Sequence, residues 1–505
     1  MNYGFKNNFS NIIYITVLLF FVFVIFLPAV YVLSFAVGGK FVISNELFSV
    51  LWISFLVAFI VTIVNLFFGV ALAWVFAKSK SRYKVWLDNL IDLPLIVPTA
   101  ALGLSVYLFW GELWYIEKGL ILIILLHIIF TIPYMIRSVS ASIEQINETY
   151  NEAGATLGAS AFTLFRTINF PLFKDGVVVG SLLSFTRSLS ETGATMMVAS
   201  AVTMTAPVFI VNLKQDGDIP QAAVVSIILI MSALLILIIA KFLTRKKHFN
   251  FDVVYPRFEK SLSNLSGLRN FVLGTFLLLI IIIPTFYIIF YNFANFNPVF
   301  DSQIFQSFLV SFGIAFSVTL VGLIFAIPMA YFIARSNNIK LASLFENMHD
   351  IVLLVPTSAL GFSLAMFWGK LNFNELLIIA LSHLSFTFPL LVKPITVAIK
   401  NVDYKIEESA LCLGASYKKV LTSILFPLIL PAIIAGSIMA FMRSLSETGA
   451  TLAVSHNVKT VSVLIVDLVQ NGQISEAGFI CFILFIITFV FLIMLKKTKK
   501  LNIEL

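Results

Sequence analysis

Arg187-Ser188-Leu189-Ser190-Glu191-Thr192-Gly193-Ala194-Thr195 returns without a change as Arg443-Ser444-Leu445-Ser446-Glu447-Thr448-Gly449-Ala450-Thr451. The second copy lies 256 residues on, from 191 to 447. Working outward, Val97-Pro98-Thr99 and Ala101-Leu102-Gly103 return as Val355-Pro356-Thr357 and Ala359-Leu360-Gly361. His127, Phe130-Thr131 and Pro133 return as His383, Phe386-Thr387 and Pro389. The matches keep the same order and nearly the same spacing, so the chain is an internal duplication.

The surroundings of these motifs are apolar. Of 505 residues 60% are hydrophobic and 11% charged, with mean hydropathy +1.02. A water-soluble chain of this length could not cover so much apolar surface. Runs long enough to cross a bilayer recur throughout. Twelve spans are expected, near 11–36, 50–77, 91–111, 119–140, 174–199 and 222–243, then 270–294, 307–334, 349–369, 374–397, 428–453 and 474–495. The fold class is therefore an all-α polytopic membrane protein of two six-span repeats. Six is even, so both halves insert in the same sense, as parallel repeats about an axis along the membrane normal. The expected domains are 1–243 and 269–505, joined by a polar tether at 244–268. The run from Ile12 to Val37 is too long for a signal peptide and reads as a retained first span.

The net charge of +8 does not point to nucleic acid, because Lys and Arg sit in short loops between apolar runs. Lys78, Lys80, Arg82 and Lys84 follow the second span; Lys241, Arg245, Lys246 and Lys247 follow the sixth; Lys496, Lys497, Lys499 and Lys500 follow the last. The opposite loops carry singles such as Lys40, Lys214 and Lys459. The positive-inside rule places both termini and the tether in the cytoplasm of a multi-pass cell-membrane protein. Cys412 and Cys481 form no framework, and the five histidines lack ligand spacing, so no metal site and no catalytic residues are expected.

Three features carry function. The first is a long segment between the fourth and fifth spans, about 145–172 and again 401–428. It reads Glu152-Ala153-Gly154, then Gly158, then Ile168-Asn169-Phe170-Pro171; its copy reads Glu408-Ser409-Ala410, Gly414, Ile424-Leu425-Phe426-Pro427. Asn147 and Asp403 suit helix N-caps. Gly158 and Gly414 suit a turn that ends a short helix, and Pro171 and Pro427 suit the first turn of the next span. The second feature is the pair Arg187/Glu191, with Arg443/Glu447 as its copy. Four residues apart, the members of a pair share a helix face and neutralise one another within the membrane. Ser190 and Ser446 add hydroxyls. A pathway lining and a structural ion pair both fit. The third feature is Pro98-Thr99 and Pro356-Thr357 inside the third spans, where a gate hinge and a packing kink both fit.

The first feature resembles the signature loop of the permease subunits of binding-protein-dependent ATP-binding-cassette importers, spaced E-A-A, three, G, nine, I-x-L-P. Gly154 and Ser409 stand for small residues, and Phe170 and Phe426 for Leu. The resemblance implies that Glu152, Ala153 and Gly158, with Glu408, Ala410 and Gly414, form coupling helices that dock on an ATPase subunit in two copies. It also implies delivery of cargo by an extracytoplasmic binding protein. No G-x-x-x-x-G-K-[S/T] stretch occurs; ATP and magnesium would be used by the partner ATPase, and no cofactor is expected on this chain. Ser-Glu-Thr-Gly-Ala-Thr is similar to a stretch of molybdate, tungstate and sulfate permeases, which favours an inorganic oxyanion as cargo. The fused halves are similar instead to ferric-iron and thiamine permeases, and a polyamine importer belongs with that alternative. A secondary transporter shares the parallel repeat, but the Lys78–Lys84 loop lacks the G-x-x-x-D-R pattern such a protein resembling the major facilitator class would carry. A scaffold or channel is the remaining class.

Overall fold

The computed structural model describes residues 8–37, 44–79, 90–95, 97–243, 255–295 and 301–501. Lys40, Lys80, Arg82, Lys84, Arg245, Lys246 and Lys247, on which the orientation argument leans, lie outside them. The described residues are helical, with no strand. Ten helices among them are long and apolar enough to cross a membrane, and one bent pair makes up to eleven. In lipid only such internally hydrogen-bonded elements or closed barrels can span.

The third spans are broken rather than straight. Ile339–Leu354 and Thr357–Gly369 meet at 106°. Proline disfavours helical geometry in the residue before it, and Val355 takes ψ 130. In the first half, residues 90–95 are helical and a new helix starts at Thr99. Pro98 and Pro356 share φ near −52 and −55 and extended ψ of 129 and 133.

The fifth spans start earlier and end earlier than the hydropathy predicts. They run continuously over Ala161–Ser190 and Tyr417–Leu445. Pro171 and Pro427 therefore sit within the span, not in its first turn. The ladder opens into a wide π-helical turn just ahead of each, at Phe165–Asn169 and Leu421–Leu425, which accommodates the missing N–H. The helix then stops before Glu191 in the first copy and at Leu445 in the second. A separate short helix follows, Gly193–Val198 or Gly449–Val454.

The first span of each half packs on the other half. Val32 N–H donates to Ser363 Oγ at 2.9 Å, and Ser363 Oγ donates to the Pro28 carbonyl at 2.8 Å. The copy is reciprocal: Ile288 N–H reaches Ser105 Oγ at 2.9 Å, and Ser105 reaches the Pro284 carbonyl at 2.7 Å. Phe21 stacks on His349, with ring centres 4.1 Å apart, and Phe276 on Phe68 at 3.9 Å. Such exchanged contacts tie the two halves into one body.

Part of the expected tether is built into the fold. Pro256–Asn264 is a helix lying against the first of the two long loops, and Ser266–Phe276 continues toward the seventh span. Residues 244–254 lie outside the described set.

Candidate functional site

The two Ser-Glu-Thr-Gly-Ala-Thr breaks meet at the centre of the molecule. A Cβ on Gly193 would fall 2.6 Å from Thr448, and one on Gly449 would fall 2.5 Å from Thr192. Residue i of one half meets residue j of the other and the reverse, so the halves are related by a two-fold operation.

At each break the charges are arranged alike. Arg187 pairs with Glu191 at 2.5 Å and Arg443 with Glu447 at 2.8 Å. The carboxylates are 3% and 2% exposed in their side chains, the guanidinium side chains 17% and 25%. That difference decides which partner meets water. Each carboxylate turns inward and accepts the first N–H groups of the next helix: Ala194 N–H at 3.1 Å and Ala450 N–H at 2.9 Å. Each guanidinium turns outward across a ring, 5.3 Å from the centres of Phe130 and Phe386.

A cavity of about 830 Å³ lies between the halves. Arg187, Ser190, Thr186, Arg443, Ser446 and Thr357 line it. A smaller pocket of about 30 Å³ adjoins it at Thr99, Tyr134, Arg187 and Arg443. Six of the pathway expectations thus divide: the arginines and serines face the cavity, while Glu191 and Glu447 stand behind them. Pro98 and Pro356 shape the wall without lining the large cavity.

Sequence reasoning missed the residues that staple each break. His127 shares hydrogen bonds with Ser188 (2.8 Å) and Thr195 (2.9 Å), one on each side of the break; His383 does the same with Ser444 (2.8 Å) and Thr451 (2.9 Å). Both rings are fully buried. Their return in both copies was the available signal, because a polar ring inside a membrane needs partners.

The long loops form short helices, Thr149–Thr156 and Tyr404–Cys412. Asp403 caps the second helix as expected, its Oδ1 accepting Lys405 N–H; in the first half the cap position falls on Glu148, and Asn147, one residue earlier, accepts Thr149 N–H through its Oδ1. Gly158 (φ +83) and Gly414 (φ +88) close them through left-handed turns, with Ala159 N–H on the Gly154 carbonyl and Ala415 N–H on the Ala410 carbonyl. Glu152, Ala153 and Glu408 are exposed, and so are Leu157 (88%) and Leu413 (89%) beside the glycines. Two apolar side chains thus stand almost wholly exposed at matching loop tips.

The two loops are anchored differently. Glu407, before Glu408, is buried against Arg335 (2.8 Å) and Tyr331 (3.3 Å). In the first half the linker supplies the acid: Glu259 accepts Thr163 Oγ1 at 2.5 Å and pairs with Arg166 at 2.6 Å. The Thr163 hydrogen bond first, then Arg166, holds the Glu259 carboxyl below the usual carboxylate range. A lowered pKa means this clamp contributes at neutral pH and is lost only as acid protonates the group, below the usual carboxylate range. At pH 7, Glu259→Gln is expected to speed hydrogen exchange across residues 256–264 by roughly tenfold. Unchanged protection would show that the linker helix does not depend on this contact.

The family model for the binding-protein-dependent transport system inner membrane component matches residues 65–248 and again 322–496. The sulfate transport system permease protein CysT of Salmonella typhimurium is 32% identical over 204 residues, 37% of this chain and 72% of that protein. The CysT protein of Escherichia coli K12 is 33% identical over 201 residues, with the same coverage. The molybdenum transport system permease protein ModB of Escherichia coli K12 is 31% identical over 209 residues, 38% of this chain and 91% of that protein. Each alignment is shorter than one half of the chain, whereas the family model matches twice. With that repeated match, the spans and the paired breaks in hand, the chain belongs to the inner-membrane components of binding-protein-dependent transport systems.

Proposed function

We propose that this chain forms the complete translocation pathway of an ATP-binding-cassette importer for a small inorganic oxyanion, of the molybdate, tungstate and sulfate class. One observation carries the reading: two guanidinium groups from opposite halves face one cavity while their carboxylates are withdrawn to cap helices. A cavity wall of two arginines and several hydroxyls complements a small tetrahedral anion, and the retained ion pairs keep it from holding cargo tightly. The names of the sulfate and molybdenum relatives support the same class. Both termini lie in the cytoplasm in this reading. Two copies of an ATPase subunit hydrolyse ATP with magnesium and seat on Thr149–Gly158 and Tyr404–Gly414, and a binding protein delivers cargo at the opposite face.

The test is uptake by the complex reconstituted with its ATPase and binding protein in liposomes. Uptake of labelled sulfate or molybdate, with none of ferric iron or thiamine, is expected; the reverse pattern overturns the oxyanion assignment. For docking, Leu157→Asp with Leu413→Asp is expected to lower uptake by at least about tenfold and to release the ATPase, the effect of losing a contact hot spot. Both leucines are solvent-exposed, so the permease itself should fold. Normal ATPase binding by the double variant would refute the docking surface.

A further inference from the structure

Asp92 lies six residues before Pro98, and Asp350 six before Pro356 (98 − 92 and 356 − 350). Each sits on the arm of a broken third span: helical residues 90–95 in one half, Ile339–Leu354 in the other. Each reaches across to the fourth span. Arg137 Nε donates to Asp92 Oδ1 at 2.7 Å, and Lys393 Nζ pairs with Asp350 Oδ1 at 2.5 Å. All four side chains line the central cavity.

Their depth follows from the helix rise. Arg137 is ten residues past His127, and Lys393 ten past His383, in each case toward the long loop. Ten residues are about 15 Å of helix. The histidines lie level with Ser188 and Ser444, so these pairs form a second tier about 15 Å nearer the long loops than the arginine pairs.

Each pair connects a rod, helical without a break although it carries internal proline, to a hinged arm. The rods are the fourth spans, Leu120–Ile143 and Glu375–Asn401, which run directly into the two long loops. Beyond the proline hinge of each half a glycine packs on the short helix of the fifth-span break, Gly103 on Ala194 and Gly361 on Ala450. We propose that Asp92–Arg137 and Asp350–Lys393 are latches that carry motion of the coupling loops through the fourth spans into the third-span arms, bending them at Pro98 and Pro356. The inference rests on the docking role assigned to the loops. The side chains of the pairs are 22–43% exposed. An ion pair so placed contributes little to stability, so it can part and reform between two arrangements. The four residues act as positioning residues, since each cation already has a carboxylate partner.

Uptake and ATP hydrolysis are measured together on the reconstituted complex. Asp92→Arg and Asp350→Lys are each expected to lower uptake by about tenfold while ATP hydrolysis continues, so that more ATP is spent per cargo. Restoring the pair in reverse, Asp92→Arg with Arg137→Asp or Asp350→Lys with Lys393→Asp, is expected to recover uptake to within about threefold. A swap no better than its single reversal, or a single reversal with normal uptake, overturns the latch. Should a reversal fail to fold, a second measurement decides. In a Cys412→Ser, Cys481→Ser background, Asp92→Cys with Arg137→Cys joined by a short thiol crosslinker is expected to block uptake; normal uptake after crosslinking overturns the proposal. If the Leu157/Leu413 variant still binds ATPase, the docking reading fails instead; if it does not, failure here is the latch's own.

Discussion

Alanine in place of Glu191 is expected to abolish uptake and to reduce the amount of folded permease. The substitution removes the partner of Arg187 at 2.5 Å and the acceptor of Ala194 N–H. Leaving one member of a buried ion pair uncompensated costs about 3–5 kcal/mol. The orphaned N–H adds about 1–3 kcal/mol. Glu447→Ala should behave alike, since Arg443 and Ala450 N–H stand in the same relation. Glutamine separates the two effects. Its carbonyl can still accept the helix N–H but cannot neutralise Arg187, so Glu191→Gln is expected to recover only the smaller, capping part of the stability while uptake stays lost. Melting in detergent and uptake in liposomes read the two apart. An alanine variant that melts and transports like the parent would sink the assignment of Glu191 as both counter-ion and cap.

The second large effect concerns Gly103 and Gly361. A Cβ on Gly103 would lie 2.6 Å from the Ala194 carbonyl oxygen and 2.8 Å from its Cα; on Gly361 it would lie 2.6 Å from the same atoms of Ala450. The obstacle is backbone and cannot rotate aside. At Gly193 and Gly449 the nearest atoms include the Cβ of Thr448 at 2.6 Å and of Thr192 at 2.7 Å, which rotation of the threonine side chain does not move. Alanine at any of the four glycines is therefore expected to destabilise, by about 3 kcal/mol, the upper end for overpacking. Melting temperatures of the four variants check this, and parent-like melting of any of them contradicts the packing argument. Close helix approach through small residues is how membrane helices associate when lipid competes equally for apolar surface.

Much of this was legible before any fold was known. The copied nine-residue stretch told of two halves. Asp403, Gly158 and Gly414 marked the ends of the loop helices, because caps and left-handed turns are local chemistry. Pro98 and Pro356 marked interruptions, although their sharpness, 106° in the second half, depends on how the two arms pack. The Arg and Glu positions were legible too, but they were read on one continuous helix face. The helix in fact ends between them in both halves, and each glutamate also accepts an N–H of the next short helix.

Sequence by itself determined the spans, the duplication, the loop helices and the paired charges, all of which rest on hydropathy, proline, glycine and capping within a few residues. Tertiary structure alone decided that each first span crosses to the other half, that the linker helix lends Glu259 to the first loop, and that four arginine and serine side chains share one cavity. The reason is the solvent. A helix in lipid is apolar on every side, so its pattern does not say which neighbour it meets. That choice falls to single hydrogen bonds such as Ser105 to Pro284 and to the fit of small residues, which come together only when the whole chain is folded.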